Sequence, residues 1–154
     1  MRERHTARVI LLDPQNRILL LKGRLPSDPT APGVWFTVGG GVEEGETLEE
    51  AARREILEET GFVAREIGEV LWRAEQRFAD RKGRGVLIKE AFMLARCEGG
   101  EPSRDGWVAL EREFVDDIRW WTLDDLQASG ERVYPPDLAS KVRGILKTSP
   151  EFMG

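Results

Sequence analysis

The stretch GGVEEGETLEEAARREILEETGF, running from Gly40 to Phe62, joins a glycine turn to a segment that reads as a helix. Thr47 is placed as an N-cap, and Glu50 three residues on closes a capping box. Gly61 fits the left-handed position after the last turn, so a helix is predicted over 48–60. At about 100° per residue, Leu48, Ala51, Ala52 and Ile56 share one side, and Glu55, Glu58 and Glu59 fall on that same side. Carboxylates at i, i+3 and i+4 are surface neighbours that repel one another, and an unpaired one next to apolar residues is costly. A hard divalent cation resolves that conflict, Mg²⁺ above all, because it takes carboxylates together with waters and phosphate oxygens. The alternative is a solvated acidic helix face with Arg53 and Arg54 as partners.

Working outward, residues 43–59 hold eight acids against two bases, and the remainder of the chain is close to neutral. The net charge of −5 therefore originates in this stretch. A nucleic-acid surface has the opposite sign, so no stable nucleic-acid binding is expected. The 154 residues, 40% hydrophobic and 33% charged, suit a single domain spanning 1–154. No apolar run is long enough to cross a membrane, and the basic start MRERHTARVILLD passes straight into strand-like residues without a secretory pattern. The lone Cys97 excludes an intrachain disulfide, and the lone His5 excludes a multi-histidine zinc site. A cytoplasmic setting is expected.

Strands are predicted over 6–13 and 17–22, joined as a hairpin at Pro14-Gln15-Asn16, and over 34–38, leading into Gly39-Gly40-Gly41. Residues 23–33, with Pro26, Pro29 and Pro32, read as a loop. A long hairpin is predicted with arms 67–78 and 86–97, connected by residues 80–85, Arg81 among them. A strand over 114–121, a short helix after Thr122 through Leu126 and an amphipathic helix over 136–147 complete a mixed α/β chain.

Gly40-x-x-x-x-Gly45-Glu46-Thr47 approaches the phosphate-binding P-loop, but Glu46 stands where that loop needs lysine, so a Walker-type ATPase is rejected. The positions Gly40, Glu46, Arg54, Glu55, Ile56, Glu58, Glu59, Gly61 and Phe62 match the Nudix box instead. The chain thereby resembles the Nudix hydrolases of the MutT-like branch, with its box at 40–62. Residues Trp35 to Val38 and Arg119 to Leu126 are similar to elements that flank the box in that family. Val38 departs from the proline that many relatives carry there, which bears on loop stiffness and removes no ligand.

The resemblance implies an α/β/α sandwich around a mixed sheet, with the box as a loop–helix–loop. It implies that Glu55, Glu58 and Glu59, with the Gly39 carbonyl, hold Mg²⁺ or alternatively Mn²⁺. Glu55 or Glu58 is the expected base. Arg54 is expected to pair with Glu46, supporting the glycine loop rather than taking part in bond making. The implied reaction is hydrolysis of a nucleoside diphosphate linked to a group X by activated water. Lys22 and Arg24 are candidate phosphate contacts. Trp35 is a candidate base-stacking residue, although each of the five tryptophans reads more simply as packing. Among Glu111, Glu113, Asp116 and Asp117, family position favours Glu113 as a further ligand or base.

Substrate identity lies outside the box. Arg77 stands where many ADP-ribose hydrolases have a proline, and Tyr134 is the chain's only tyrosine, outside the segment where dinucleoside polyphosphate hydrolases often carry one. A (deoxy)nucleoside triphosphate is the least contradicted small-molecule substrate. ADP-ribose or another nucleotide sugar is the alternative, and a non-catalytic nucleotide-binding regulator a third reading that the intact glutamates oppose. A homodimer is compatible with the sequence.

Overall fold

The computed structural model describes residues 2–24, 30–80 and 82–148. Pro26 and Pro29 of the predicted loop, and Arg81 of the hairpin connection, lie outside the described residues. The elements follow in the order β1 (Arg2–Leu12), β2 (Ile18–Gly23), β3 (Val34–Gly41), α1 (Leu48–Thr60), β4 (Glu66–Ala79), β5 (Gly85–Arg96), α2 (Ala109–Phe114), β6 (Val115–Trp121), α3 (Leu123–Ala128), β7 (Val133–Tyr134) and α4 (Leu138–Thr148). No helix among the described residues is long and apolar enough to cross a membrane.

The runs Val9–Leu12 and Ile18–Leu21 carry no polar residue because both faces of their strands are covered. Alternation sends Val9, Leu11, Leu19 and Leu21 to one face, where they meet Ala51, Ala52 and Ile56 of α1. Ile10, Leu12, Ile18 and Leu20 go to the other face, against Leu123 and Leu126 of α3 and Leu138 and Val142 of α4. Strand order is β4-β5-β1-β2-β3-β7, with β6 on β2 and a further pairing of β1 with β3. The β1–β5 and β3–β7 pairs are parallel and the rest antiparallel. This is the expected α/β/α sandwich with a mixed sheet.

Helix α1 has the expected ends: Thr47 accepts from the Glu50 N–H, Glu50 accepts in return from Thr47, and Gly61 is left-handed at φ 78°. The turn at 14–16 also forms, with buried Asp13 accepting from the N–H groups of Gln15 and Arg17 and from Arg17 Nε. The two strands it joins then diverge. Only Leu12 and Ile18 pair, because β3 takes that edge of β1 from Thr6 to Val9, while β5 covers the other edge along the whole strand.

Four elements depart from expectation. Helix α2 occupies residues for which no element is predicted and takes Phe114 from the predicted strand, since Ala-Leu-Glu-Arg-Glu are strong helix formers and Glu111 caps Val108 N–H. Two-residue β7 is too short to leave a pattern. Helix α4 starts at Leu138 rather than Pro136. Strand β3 also runs through the glycines to Gly41, where it pairs with β1.

Candidate active site

That extension of β3 brings the glycines against α1. A Cβ on Gly39, at φ 146°, would lie 2.1 Å from the Ala7 carbonyl oxygen, so only glycine fits there. A Cβ on Gly40 would lie 2.5 Å from Glu55 Oε1. The side-chain-free strand lets the helix carboxylates press onto the backbone. Glu59 does so most deeply: it is 3% exposed, and its Oε1 accepts the Gly39 N–H at 2.7 Å. It makes no ion pair among the described residues. Burial, and then the charge of Glu55, holds its carboxyl well above the usual carboxylate range. Glu55 is raised in the same direction, by burial first, with Arg54 opposing.

Arg54 ties the loop to the helix. Its Nε and Nη2 donate to the two oxygens of Glu46 at 2.7 and 2.9 Å, a two-pronged ion pair. Nη2 also donates to the Gly41 carbonyl at 2.9 Å, and Nη1 donates to Glu55 at 2.9 Å and Glu58 at 3.4 Å. The hydrogen bond from Arg54 holds the Glu46 carboxyl down at about 2. With Glu43 Oε1 3.8 Å from Nη1, one guanidinium faces four carboxylates and compensates them only in part.

Among the described residues no three carboxylate, imidazole or thiol groups converge as a ready-made ion cage. Glu55 and Glu58 rest on Arg54 and Glu59 on Gly39. The donor chemistry nevertheless fits a hard divalent cation: three oxygen-donor side chains on one helix face carry excess negative charge, and the buried one lacks a cationic partner.

The segment 104–108 closes this side. Trp107 donates its indole N–H to the Glu59 carbonyl at 2.7 Å, and a Cβ on Gly106 would lie 2.5 Å from the Glu58 carbonyl oxygen. The contact brings α2 beside the glutamates, where Glu111 adds its negative charge to Glu55 and Glu59. Glu113, favoured from the sequence, has an exposed side chain, and its carbonyl accepts from Arg24. Glu111 is the acid that faces the helix. The helical spacing of 109–114 was the signal that could have separated the two.

The other candidates are placed elsewhere. Trp35 is 3% exposed, edge-on to Trp121 within the apolar cluster of α3 and α4, on the face opposite α1. A stacking contact with a base is not open to a ring buried this way, and that expectation is corrected. Lys22 shares that face, with Nζ 3.5 Å from Glu131 and 5.7 Å from the Trp35 ring centroid. Arg24 is bound to Asp116 at 3.0 Å. Trp72 stacks on Phe92, and Trp120 packs on Phe62 and donates to the Gly100 carbonyl.

Known proteins resemble this chain in sequence and in fold. The NUDIX domain family model matches residues 2–140. The nucleoside triphosphatase NudI of Enterobacter sp. (strain 638) is 47% identical over 118 residues, covering 73% of this chain and 79% of the relative. The ADP-ribose pyrophosphatase of Methanocaldococcus jannaschii is 39% identical over 106 residues, covering 69% of this chain but 58% of that protein. Among solved structures, the MutT NUDIX hydrolase from Burkholderia pseudomallei superposes with a TM-score of 0.61 at 25% identity, covering 90% of this chain and 96% of that one. Its box, its sandwich and these relatives together place the chain in the Nudix family, the hydrolases that act on pyrophosphate bonds.

Proposed function

We propose that the protein is a Mg²⁺-dependent pyrophosphohydrolase whose substrate is a (deoxy)nucleoside triphosphate. The observation that carries this reading is Glu59, buried against the Gly39 N–H beside Glu55 and without an ion pair among the described residues. The NudI relative, named a nucleoside triphosphatase, supports the substrate class.

Glu55, Glu58 and Glu59, with the Gly39 carbonyl, would hold the cation, and Mn²⁺ would serve in place of Mg²⁺. Bound there, the ion supplies Lewis-acid chemistry, offsetting negative charge on the diphosphate and easing deprotonation of water. Water oxygen attacks one phosphorus, the bridging P–O bond breaks, and the bridging oxygen leaves with the departing phosphate group. Glu58 is the more exposed of the two candidate bases and is free to turn from its 3.4 Å contact with Arg54 to accept the proton from that water. Arg54 keeps Glu46 and the Gly41 carbonyl on the helix, so the loop does not drift from the carboxylates. The lone buried thiol of Cys97 suits a reducing, cytoplasmic setting.

The test is a panel of nucleoside triphosphates, ADP-ribose and dinucleoside polyphosphates with Mg²⁺ or Mn²⁺, identifying both products by ion exchange. Cleavage of at least one triphosphate to a monophosphate and pyrophosphate, abolished by a chelator, is expected. Faster turnover of ADP-ribose than of every triphosphate would transfer the assignment to that substrate. Undiminished turnover after confirmed metal removal would overturn the mechanism.

A further inference from the structure

The last turn of α1 carries Glu58 and Glu59, and its own sequence does little to hold that turn. The final carbonyls of a helix have no partner within it, and the dipole there favours a basic side chain. Here the last turn contains no basic residue. The Gly61 N–H covers the Leu57 carbonyl at 2.9 Å, which leaves the carbonyls of Glu58, Glu59 and Thr60 to be met from elsewhere.

A segment distant in sequence meets all three. The Ser103 N–H donates to the Thr60 carbonyl at 2.7 Å. The Trp107 indole N–H, 48 residues from its acceptor, donates to the Glu59 carbonyl at 2.7 Å. Gly106 lies against the Glu58 carbonyl so closely that a Cβ there would come within 2.5 Å of its oxygen. The segment is itself braced by α2. Arg112 Nε donates to the Trp107 carbonyl at 3.2 Å, and its Nη2 donates to the carbonyls of Arg104 and Asp105 at 3.1 and 3.4 Å. Trp107 is 6% exposed, within the apolar cluster of Ala52 and Ile56, and the Arg104 guanidinium lies 5.0 Å from its ring centroid.

The place of a backbone turn decides where its side chains reach. The 2.7 Å contact of Glu59 with the Gly39 N–H exists only while the turn is held where it is, and a frayed turn would carry Glu58 and Glu59 away from the glycine strand. Groups that orient metal ligands matter for affinity nearly as much as the ligands do.

We propose that Trp107 is a positioning residue: its indole N–H pins the last turn of α1 so that Glu58 and Glu59 take up a divalent cation together. The inference rests on the metal-dependent reading of that site. Trp107 acts through the Glu59 backbone and touches neither cation nor substrate.

The test uses Trp107→Phe, which keeps an aromatic ring in the cluster and removes the N–H. Trp121→Phe is its control. Trp121 is 3% exposed, on the sheet face away from α1, and its indole N–H has no hydrogen-bond partner among the described residues. Both variants lose the same buried volume, so both should melt below the parent. Arg112→Gln is the third variant. Its side chain is exposed, so the fold should survive while the three braced carbonyls are released.

Mn²⁺ binding without nucleotide is followed by the electron paramagnetic resonance of the free ion, beside kcat and KM on the best nucleotide. The Mn²⁺ dissociation constant is expected to rise by about tenfold in Trp107→Phe, by a smaller factor in Arg112→Gln, and not in Trp121→Phe. In Trp107→Phe kcat should fall while the nucleotide KM stays at the parent's value. Parent-like Mn²⁺ affinity in Trp107→Phe and Arg112→Gln, or an equal loss in Trp121→Phe, would overturn the positioning role and leave the metal reading standing. Should Trp107→Phe fail to fold, Arg112→Gln decides by the same measurement. A parent that binds no Mn²⁺ would overturn both readings.

Discussion

Glu59 and Glu90 are buried almost equally, on opposite sides of one sheet, and their surroundings differ in kind. Glu90 of β5 has the Arg8 guanidinium, the Tyr134 phenol and the Gln76 amide around it, all supplied by the chain. Glu59 has one backbone N–H, the carboxylate of Glu55 on its own helix and the field of Glu111, opposed only weakly by the charge of Arg8. Buried carboxylates in folded proteins are paired or coordinate a metal. The first of these is completed within the fold, and the second is left for something that arrives. The contrast also separates two kinds of polar burial in this protein: one that fixes geometry among strands, and one that stores repulsion for a cation to relieve.

The largest expected effect tests the exposed member of the incomplete cluster. Glu58→Gln keeps size and helix propensity but removes charge, so the fold should be intact while turnover falls by about 10²-fold or more. Steady-state rates on the best nucleotide, beside melting with and without Mg²⁺, check it. Parent-like turnover with an unaltered Mg²⁺ melting shift would make Glu58 a solvated face residue and reduce the contrast to Glu59 alone.

A smaller effect belongs to the cation that partly compensates the cluster. Arg54→Ala frees the Gly41 carbonyl, Glu46, Glu55 and Glu58 together, and a loss of roughly 10-fold in kcat/KM is expected from a partner that orients ligands without being one. Glu46→Ala should cost less, because Arg54 keeps its other contacts. A double-mutant cycle in rate should show coupling between the two, and strict additivity would reject the pair as the link between loop and helix.

Most of the incomplete cluster was legible in the sequence, and little of the completed one. The box compresses its loop, helix, caps and candidate glutamates into 40–62, where local spacing alone decides which side chains are neighbours, and α1 has the predicted bounds. Glu90, Arg8, Gln76 and Tyr134 come from four strands, and their meeting depends on the β1–β5 register and on β7, which is two residues long. Periodicity places each on a face but not beside the others. The same limit explains Trp35 and Lys22. They precede the box in sequence but lie across the sheet from it, because alternate residues of a strand point to opposite sides. Glu111 against Glu113 turned on whether 109–114 is helical, a question of local propensity that residue type could have answered.

The smallest expected effect is the most direct probe of the contrast, because it predicts a sign rather than a loss. In metal-free protein at neutral pH, Glu59 must either stay charged where burial and Glu55 disfavour it or take up a proton. Both options disfavour the folded state relative to the unfolded chain, where its carboxyl is solvated. Glu59→Gln removes that cost and retains an oxygen to accept the Gly39 N–H, so the metal-free variant should melt about 2–4 °C above the parent. It should also lose most of the parent's stabilisation by Mg²⁺, since ligand-induced stabilisation follows affinity. Glu90→Gln should move the other way. Its charge is already matched, and neutralising it leaves the Arg8 guanidinium without its carboxylate in a half-buried site, a cost of about 1–3 kcal/mol. Melting curves of both variants in chelator, and again in excess Mg²⁺, provide the check. If both substitutions destabilised the metal-free protein, Glu59 would be as complete within the fold as Glu90, and the cation would have no stored repulsion to relieve.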